Sequence, residues 1–397
     1  MSGVRALLVL CLTLMAAAPA AAADTVVGTV PGLPGDVSAW GGHAVLTIYD
    51  QAAEAWTLWD ATAEGITRLG GPTFLTSPQA DVGPDANGHP TVVYHRCSNE
   101  FAADCHIYAL ALDQPGAQEQ LVPELDVKGA SDVAPTIWKG RIAFGRLRGN
   151  RVATVYVQRA PGSRSLLRLG RGTVPTCKGK SCTPEAQPAK MDLGAGGLAM
   201  VWQLEGGNAE PQDAWELRRV PLDGGPGRLL DAGAAGECGG GGLSFTSFGA
   251  PTVIGRRVAY LRRRGDCYLA DSVFALSGPS PLTRRVHRVG GAHLAYAAAL
   301  DGDRWWWVRG PNPPDYEAAS TACTHDDCSL VVSTAVRLRP IRVAPVPQPP
   351  ILPTELGVSG GPRTPAALFS YLRGHYAIFR ARSRPISGSR GSANSTG

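Results

Sequence analysis

The sequence predicts an all-β chain folded as a β-propeller, and three observations predict it. Glycine (49) and proline (32) together fill 81 of the 397 positions, too many for a protein of long helices. A unit made of a glycine, short apolar strands and turns recurs about every 50 residues, the size of a four-stranded blade. Within the strands, apolar residues occupy successive positions rather than alternate ones. Sheets covered on both faces read this way, whereas a two-layer sandwich would alternate.

The units are anchored by Gly42, Gly88, Gly140, Gly197, Gly255 and Gly291. The clearest runs from Ser131 to Leu169: Ile142-Ala143-Phe144 opens a strand, Arg148-Gly149-Asn150 turns, Ala153 to Val157 returns, Pro161-Gly162 turns again, and Ser165 to Leu169 closes. Val92-Val93-Tyr94, Ala199 to Trp202, Val258-Ala259-Tyr260 and Leu294-Ala295-Tyr296 echo the first strand. This gives six blades in a propeller domain over residues 24–338. Gly374 to Phe379 repeats the same pattern and would make a seventh, with Thr25 to Val30 completing the last blade and closing the ring. The Pro-rich segment 339–363 reads as a C-terminal extension, a stiff linker or surface strap. Residues 364–383 read as closing strands, and 384–397, rich in Ser, Gly and Arg, as a disordered tail.

Asp81-Val82-Gly83-Pro84-Asp85-Ala86-Asn87-Gly88 through Val93-Tyr94, followed by Ile107-Tyr108, resembles the WD40-like repeat of TolB-type propellers. Pro135 to Val157, with Gly140-Arg141-Ile142-Ala143-Phe144 and Val155-Tyr156-Val157, looks like a second copy. The other units keep the glycine and the first strand but lose the Pro-Asp. The resemblance spans residues 36–335 and implies a secreted binding scaffold of bacterial type.

The N-terminus carries an export signal over residues 1–23. Arg5 supplies the positive charge, Ala6 to Ala17 the apolar stretch, and Ala21-Ala22-Ala23 the small residues of a cleavage site. That stretch is too short to span a bilayer, and no later one is long and apolar enough for a transmembrane segment. The expected location is therefore secreted or extracytoplasmic. Beyond Cys11, eight cysteines remain, an even number suited to an oxidising compartment. They fall into near neighbours, Cys97 with Cys105, Cys177 with Cys182, Cys238 with Cys267 and Cys323 with Cys328. A local staple of each pair is the simplest of the 105 connectivities.

Charged residues make up 18% of the chain and the net charge is +5, which gives no footprint of a nucleic-acid binder. No Gly-x-Ser-x-Gly and no His-Glu-x-x-His occurs. Gly179-Lys180-Ser181 imitates the end of a P-loop, but Val174 stands where the first glycine belongs. No cofactor is expected. Asp301 and Asp303 bracket a turn that could begin a calcium site, although Asp-Gly turns are common without metal. His325, Asp326 and Asp327, between Cys323 and Cys328, form the densest polar cluster, for which a solvated loop is the plainer reading. Trp306 lies within a run of three tryptophans that suits either a sugar platform or packing between blades. Arg262 and Arg264 share a strand face in a basic region that suits an anionic envelope polymer or a solvated surface.

Two functions follow. The first is a monomeric, non-catalytic scaffold that binds a protein partner or an envelope polymer. The second is a hydrolase or lyase acting on sugars or lactones at the central channel, with His95, His293 and Asp85 among its candidate residues. The absence of any catalytic motif favours the first.

Overall fold

A computed structural model shows an all-β propeller. It describes residues 25–381 apart from 31, 63, 71–73, 100–103, 149–151, 172–184, 206–213, 226, 235, 239–241, 267–268, 278–284, 302–303, 313–327, 335–339, 346–355, 359–365 and 373–374. Six blades succeed one another along the chain. Their innermost strands are Leu33–Trp40, Ala80–Pro84, Ser131–Trp138, Glu185–Gly194, the split pair Gly242–Phe248 and Thr252–Ile254, and His293–Asp301. Each is followed outward by three antiparallel strands; blade 3, for example, continues through Arg141–Leu147, Thr154–Gln158 and Leu166–Arg171. Both ends of the chain build one further four-stranded sheet. Thr25–Val30 pairs with His375–Ala381, which pairs with Ala366–Leu372 and then Leu356–Val358. Leu356–Val358 lies beside the innermost strands of blades 1 and 6, so this sheet closes the ring. The expected closure by the N-terminal strand is what the register Thr25↔Arg380 to Val30↔Tyr376 shows.

The recurring glycines have a local cause. In the first five blades the anchoring glycine lies in the hairpin between the innermost and second strands, where the backbone needs a positive φ that Cβ-bearing residues avoid. Gly88 has φ +91° and Gly140 φ +71°. Blade 6 is out of phase with the expectation: Gly291 precedes the innermost strand, and Leu294-Ala295-Tyr296 belongs to that strand rather than to the second. His293 to Leu300 is almost entirely apolar, and this hid the difference.

The continuous apolar runs also have a cause. Successive side chains on a strand point to opposite faces, and here each face meets a different neighbour. In blade 4, Leu198, Met200 and Trp202 join Ala143, Val155 and Val157 of blade 3, while Ala199 and Val201 join Val258, Tyr260 and Ala275 of blade 5. Between blades 5 and 6, Phe274 meets Trp305 and Trp307 edge-on, with ring centroids at 5.1 and 5.3 Å. Both faces of these strands are largely buried, so polar residues enter them sparingly, as Thr47, His95 and Arg146 do.

The first part of the Pro-rich segment is a strand, Pro340–Pro345, on the outer edge of blade 6. An outer edge tolerates proline because its outward N–H has no ladder partner to lose. Residues 1–23 and the tail 384–397 lie outside the described residues. Among the described residues no helix is long and apolar enough to cross a membrane.

Gly140 is the most constrained hairpin glycine of blades 1–3, because a Cβ there would lie 2.7 Å from the backbone nitrogen of Ala86. At Gly88 a Cβ would meet nothing within 4 Å. Gly88→Ala should therefore cost only the left-handed penalty of about 1–2 kcal/mol. Gly140→Ala should cost at least about 1 kcal/mol more, because blades 2 and 3 must part. Denaturant unfolding of the two variants measures the difference, and equal costs would refute the close approach.

Candidate functional site: the axial channel

The innermost strands of the six blades line an axial cavity of about 270 Å³. An innermost strand is a sheet edge, and its axis-facing N–H groups have no ladder partner. Polar side chains from the preceding blade supply one. The Ser38 hydroxyl accepts the Val82 N–H at 3.0 Å, the Asp81 carboxylate the Ile137 N–H at 2.9 Å, and the Thr136 hydroxyl the Leu193 N–H at 3.1 Å. The Asp192 carboxylate accepts the N–H of Val253. These are four repeats of one rule, running from blade 1 to blade 5. Ser38, Asp81, Thr136, Asp192 and Thr252 hold corresponding places. The donated N–H from the second blade onward belongs to the residue that follows each.

Asp81 sits at the middle of this series. Ser38 donates its hydroxyl to Oδ1 at 2.7 Å, and Thr136 donates to Oδ2 at 2.7 Å. Burial nevertheless raises its pKa above the ordinary carboxylate value, against the pull of those donors. Asp192 is pushed up to about 7 by burial and, next, by the charge of Asp81. Two further contacts span the axis. Gln79 of blade 2 donates Nε2 to the Ala189 carbonyl of blade 4 at 2.9 Å, and Lys190 of blade 4 faces Asp36 of blade 1 at 3.7 Å.

Bulges shape the level at which these side chains meet. The pairing of the innermost strand slips between Pro34 and Val37, Val133 and Thr136, Pro188 and Lys190, and Ala295 and Ala297; in blade 5 the strand breaks at 249–251. Prolines 34, 135, 188 and 251 stand at four of these places, where a missing N–H costs no ladder bond.

The residues singled out in the sequence lie elsewhere. Asp85 builds the hairpin before Gly88, its Oδ1 accepting the N–H groups of Asn87 and His89 at 2.8 Å each. His95 is buried in the second strand of blade 2, and burial holds its pKa down to about 4, so it stays neutral; His293 is exposed at the start of blade 6. Trp306 is 2% exposed, so its ring offers no face to a sugar. Arg262 pairs with Asp231 of blade 4 at 2.9 Å, and Asp231 also accepts the Tyr260 hydroxyl at 3.1 Å. Arg262 thus ties two blades together. The side chain of Arg264, like those of Asp301, Cys177, Cys182, Cys238 and Cys267, lies outside what is described, as do Asp303, Cys323, His325, Asp326 and Asp327. Asp301 faces Arg304 across the blade 6 hairpin. Cys97 and Cys105 form a disulfide, and Cys328 is disulfide-bonded.

The sequence reading missed Asp36, Lys190 and Asp192 altogether. Their common signal is faint: each is a charged residue in a stretch of prolines, glycines, alanines and apolar residues just ahead of a hairpin glycine.

No protein-family model matches the chain, and no curated protein matches it. Solved structures do. A chain of a nidogen/laminin complex matches with a TM-score of 0.37 and 11% identity, over 77% of this chain and 91% of its own. A prolyl endopeptidase matches with a TM-score of 0.48 and 13% identity over 91% of this chain, which spans 49% of that enzyme. A putative TolB from Agrobacterium tumefaciens matches with a TM-score of 0.32 and 15% identity, over 48% of this chain and 62% of its own. At these identities the likeness is one of fold.

The elevated Asp192 carboxyl gives a signed prediction. Folded, it binds its proton more tightly than unfolded, so its stabilising contribution is complete below about pH 4 and is lost as pH rises through about 7. Asp192→Asn, whose amide oxygen can still accept the Val253 N–H, removes that dependence. The stability of wild type relative to Asp192→Asn should fall by on the order of 2–4 kcal/mol between pH 4 and pH 8. A difference that stays flat across this range in paired unfolding experiments would refute the assignment.

Proposed function

We propose that the protein is an extracytoplasmic, non-catalytic propeller of TolB type that holds a protein partner on one end of the ring. One observation carries this reading. Among the described residues, Cys97, Cys105, Cys238 and Cys328 all lie on a connection, or at a strand end, at the same end of the propeller. Cys97, Cys105 and Cys328 flank connections between second and third strands, and Cys238 ends the short strand that leads into blade 5. All of these connections emerge on the side opposite the glycine hairpins. Bracing loops at one end is what a recognition surface on a rigid scaffold requires. The Cys97–Cys105 bond supports an oxidising compartment.

A protein partner fits better than an anionic polymer, since Arg262 is committed to Asp231. The enzymatic reading loses support because the axial carboxylates Asp81 and Asp192 hold neighbouring strands together.

A photo-crosslinking residue at Asn99, on the cysteine end, should capture a defined partner in the native compartment, while the same residue at Asn87, on the hairpin end, should not. Capture from both positions or from neither overturns the proposal. Protection by added envelope polymer but not by protein would replace the partner class.

A further inference from the structure

We propose that Lys190 is a reactive amine and that the axial cavity takes a small uncharged aldehyde or ketone, held through an imine to Lys190 Nζ. The proposal goes beyond the partner-binding reading and uses a different part of the molecule.

Lys190 follows the bulge in the innermost strand of blade 4 and lies on the cavity-lining side. Its side chain keeps 27% of its surface exposed and is among those that line the cavity. It also stands two residues before the tethering position, so it is not used in the series that joins the blades. Nearby charge suits a neutral reactant. Asp36 is 3.7 Å away, Asp81 and Asp192 line the same cavity, and Arg263 acts on the amine from blade 5, so neither a strong anion nor a strong cation gains from entering. Burial lowers the amine's pKa first, Asp36 opposes that shift, and Arg263 adds to the lowering. A desolvated lysine beside another cation is the setting in which an amine becomes nucleophilic near neutral pH. Trp40, Trp138 and Met191 give the cavity apolar wall area for a short carbon chain.

The step balances without an oxidant or reductant. The neutral Nζ forms a bond to the carbonyl carbon, and the carbonyl oxygen takes up a proton. Nitrogen gives up its protons to Asp36 and water, the hydroxyl leaves as water, and the C=N bond remains. Asp192 lies one residue beyond the neighbouring position on the strand, about 7 Å from Lys190 along the backbone. That spacing leaves room for the carbonyl oxygen between them.

The chain has only five lysines, 128, 139, 178, 180 and 190, which makes the test clean. Lys128 and Lys139 are exposed and serve as internal controls. The intact protein would be treated with propanal and sodium cyanoborohydride at pH 7, then digested and mapped by mass spectrometry. The expected result is labelling of Lys190 several-fold above that of Lys128 and Lys139, because a lowered pKa leaves more of the amine neutral. That preference should disappear in urea, and Lys190→Arg should remove the strongly labelled site. Labelling of Lys190 at or below the level of the exposed lysines overturns the proposal, as does a preference that survives unfolding. Because the distribution is read in the wild-type chain, a misfolded variant would not obscure it. The partner-capture result at Asn99 should be unchanged by Lys190→Arg, so the two proposals fail separately.

Discussion

A ring of sheets creates an edge problem at its own centre. The inner edge of every blade presents unpaired N–H groups to a narrow axis, and a buried backbone donor without a partner is expensive. The series Ser38, Asp81, Thr136 and Asp192 answers that constraint by passing one accepting oxygen from each blade to the next. Much of the channel's character follows from it. The polar groups near the axis must be acceptors, they must recur once per blade, and the carboxylates among them must sit close together. Burial then raises Asp192, and the charge of Asp81 adds to the rise.

Away from the axis, the blades are held by a different force. Alternate side chains of each second strand enter two separate apolar cores, one on either side. Association between blades therefore resembles the interior of a single domain cut into wedges, with aromatic pairs such as Phe274 with Trp305 filling the widening outer space. Where Arg146 brings charge into these cores, it is paired. Arg146 donates Nε and Nη2 to the two oxygens of Asp132 at 2.7 and 2.6 Å, with both side chains almost completely buried. The closing sheet extends the same logic to the chain ends: by pairing the first strand with the last, the ring leaves no blade without a neighbour on each side.

The fold was legible because backbone physics repeats. A hairpin that requires positive φ demands glycine each time, and a doubly covered strand demands an apolar run each time; Gly140 and Ala199 to Trp202 were visible for those reasons. The axial site was not legible, because its requirement is for an oxygen acceptor and serine, threonine and aspartate satisfy it equally. Four residues of three types, in strands of differing length, leave no spacing to recognise. Asp81 was already in view within the resembling segment, yet attention fell on Asp85, which shapes a turn. The tryptophan run lies where the packing reading puts it, since a strand covered on both faces places all three rings in the interior.

Lys190 stands apart from both systems. It is absent from the apolar cores, and it takes no part in the tether series, whose members accept N–H groups where an ammonium can only donate. Its ion pair with Asp36, at 3.7 Å, gains little over the desolvation of the two groups. Replacing both groups by apolar residues would fit the fold's own rules at least as well. An amine on the wall of the axial cavity thus sits against the apolar grain of the architecture, and the imine chemistry proposed above gives it a role there.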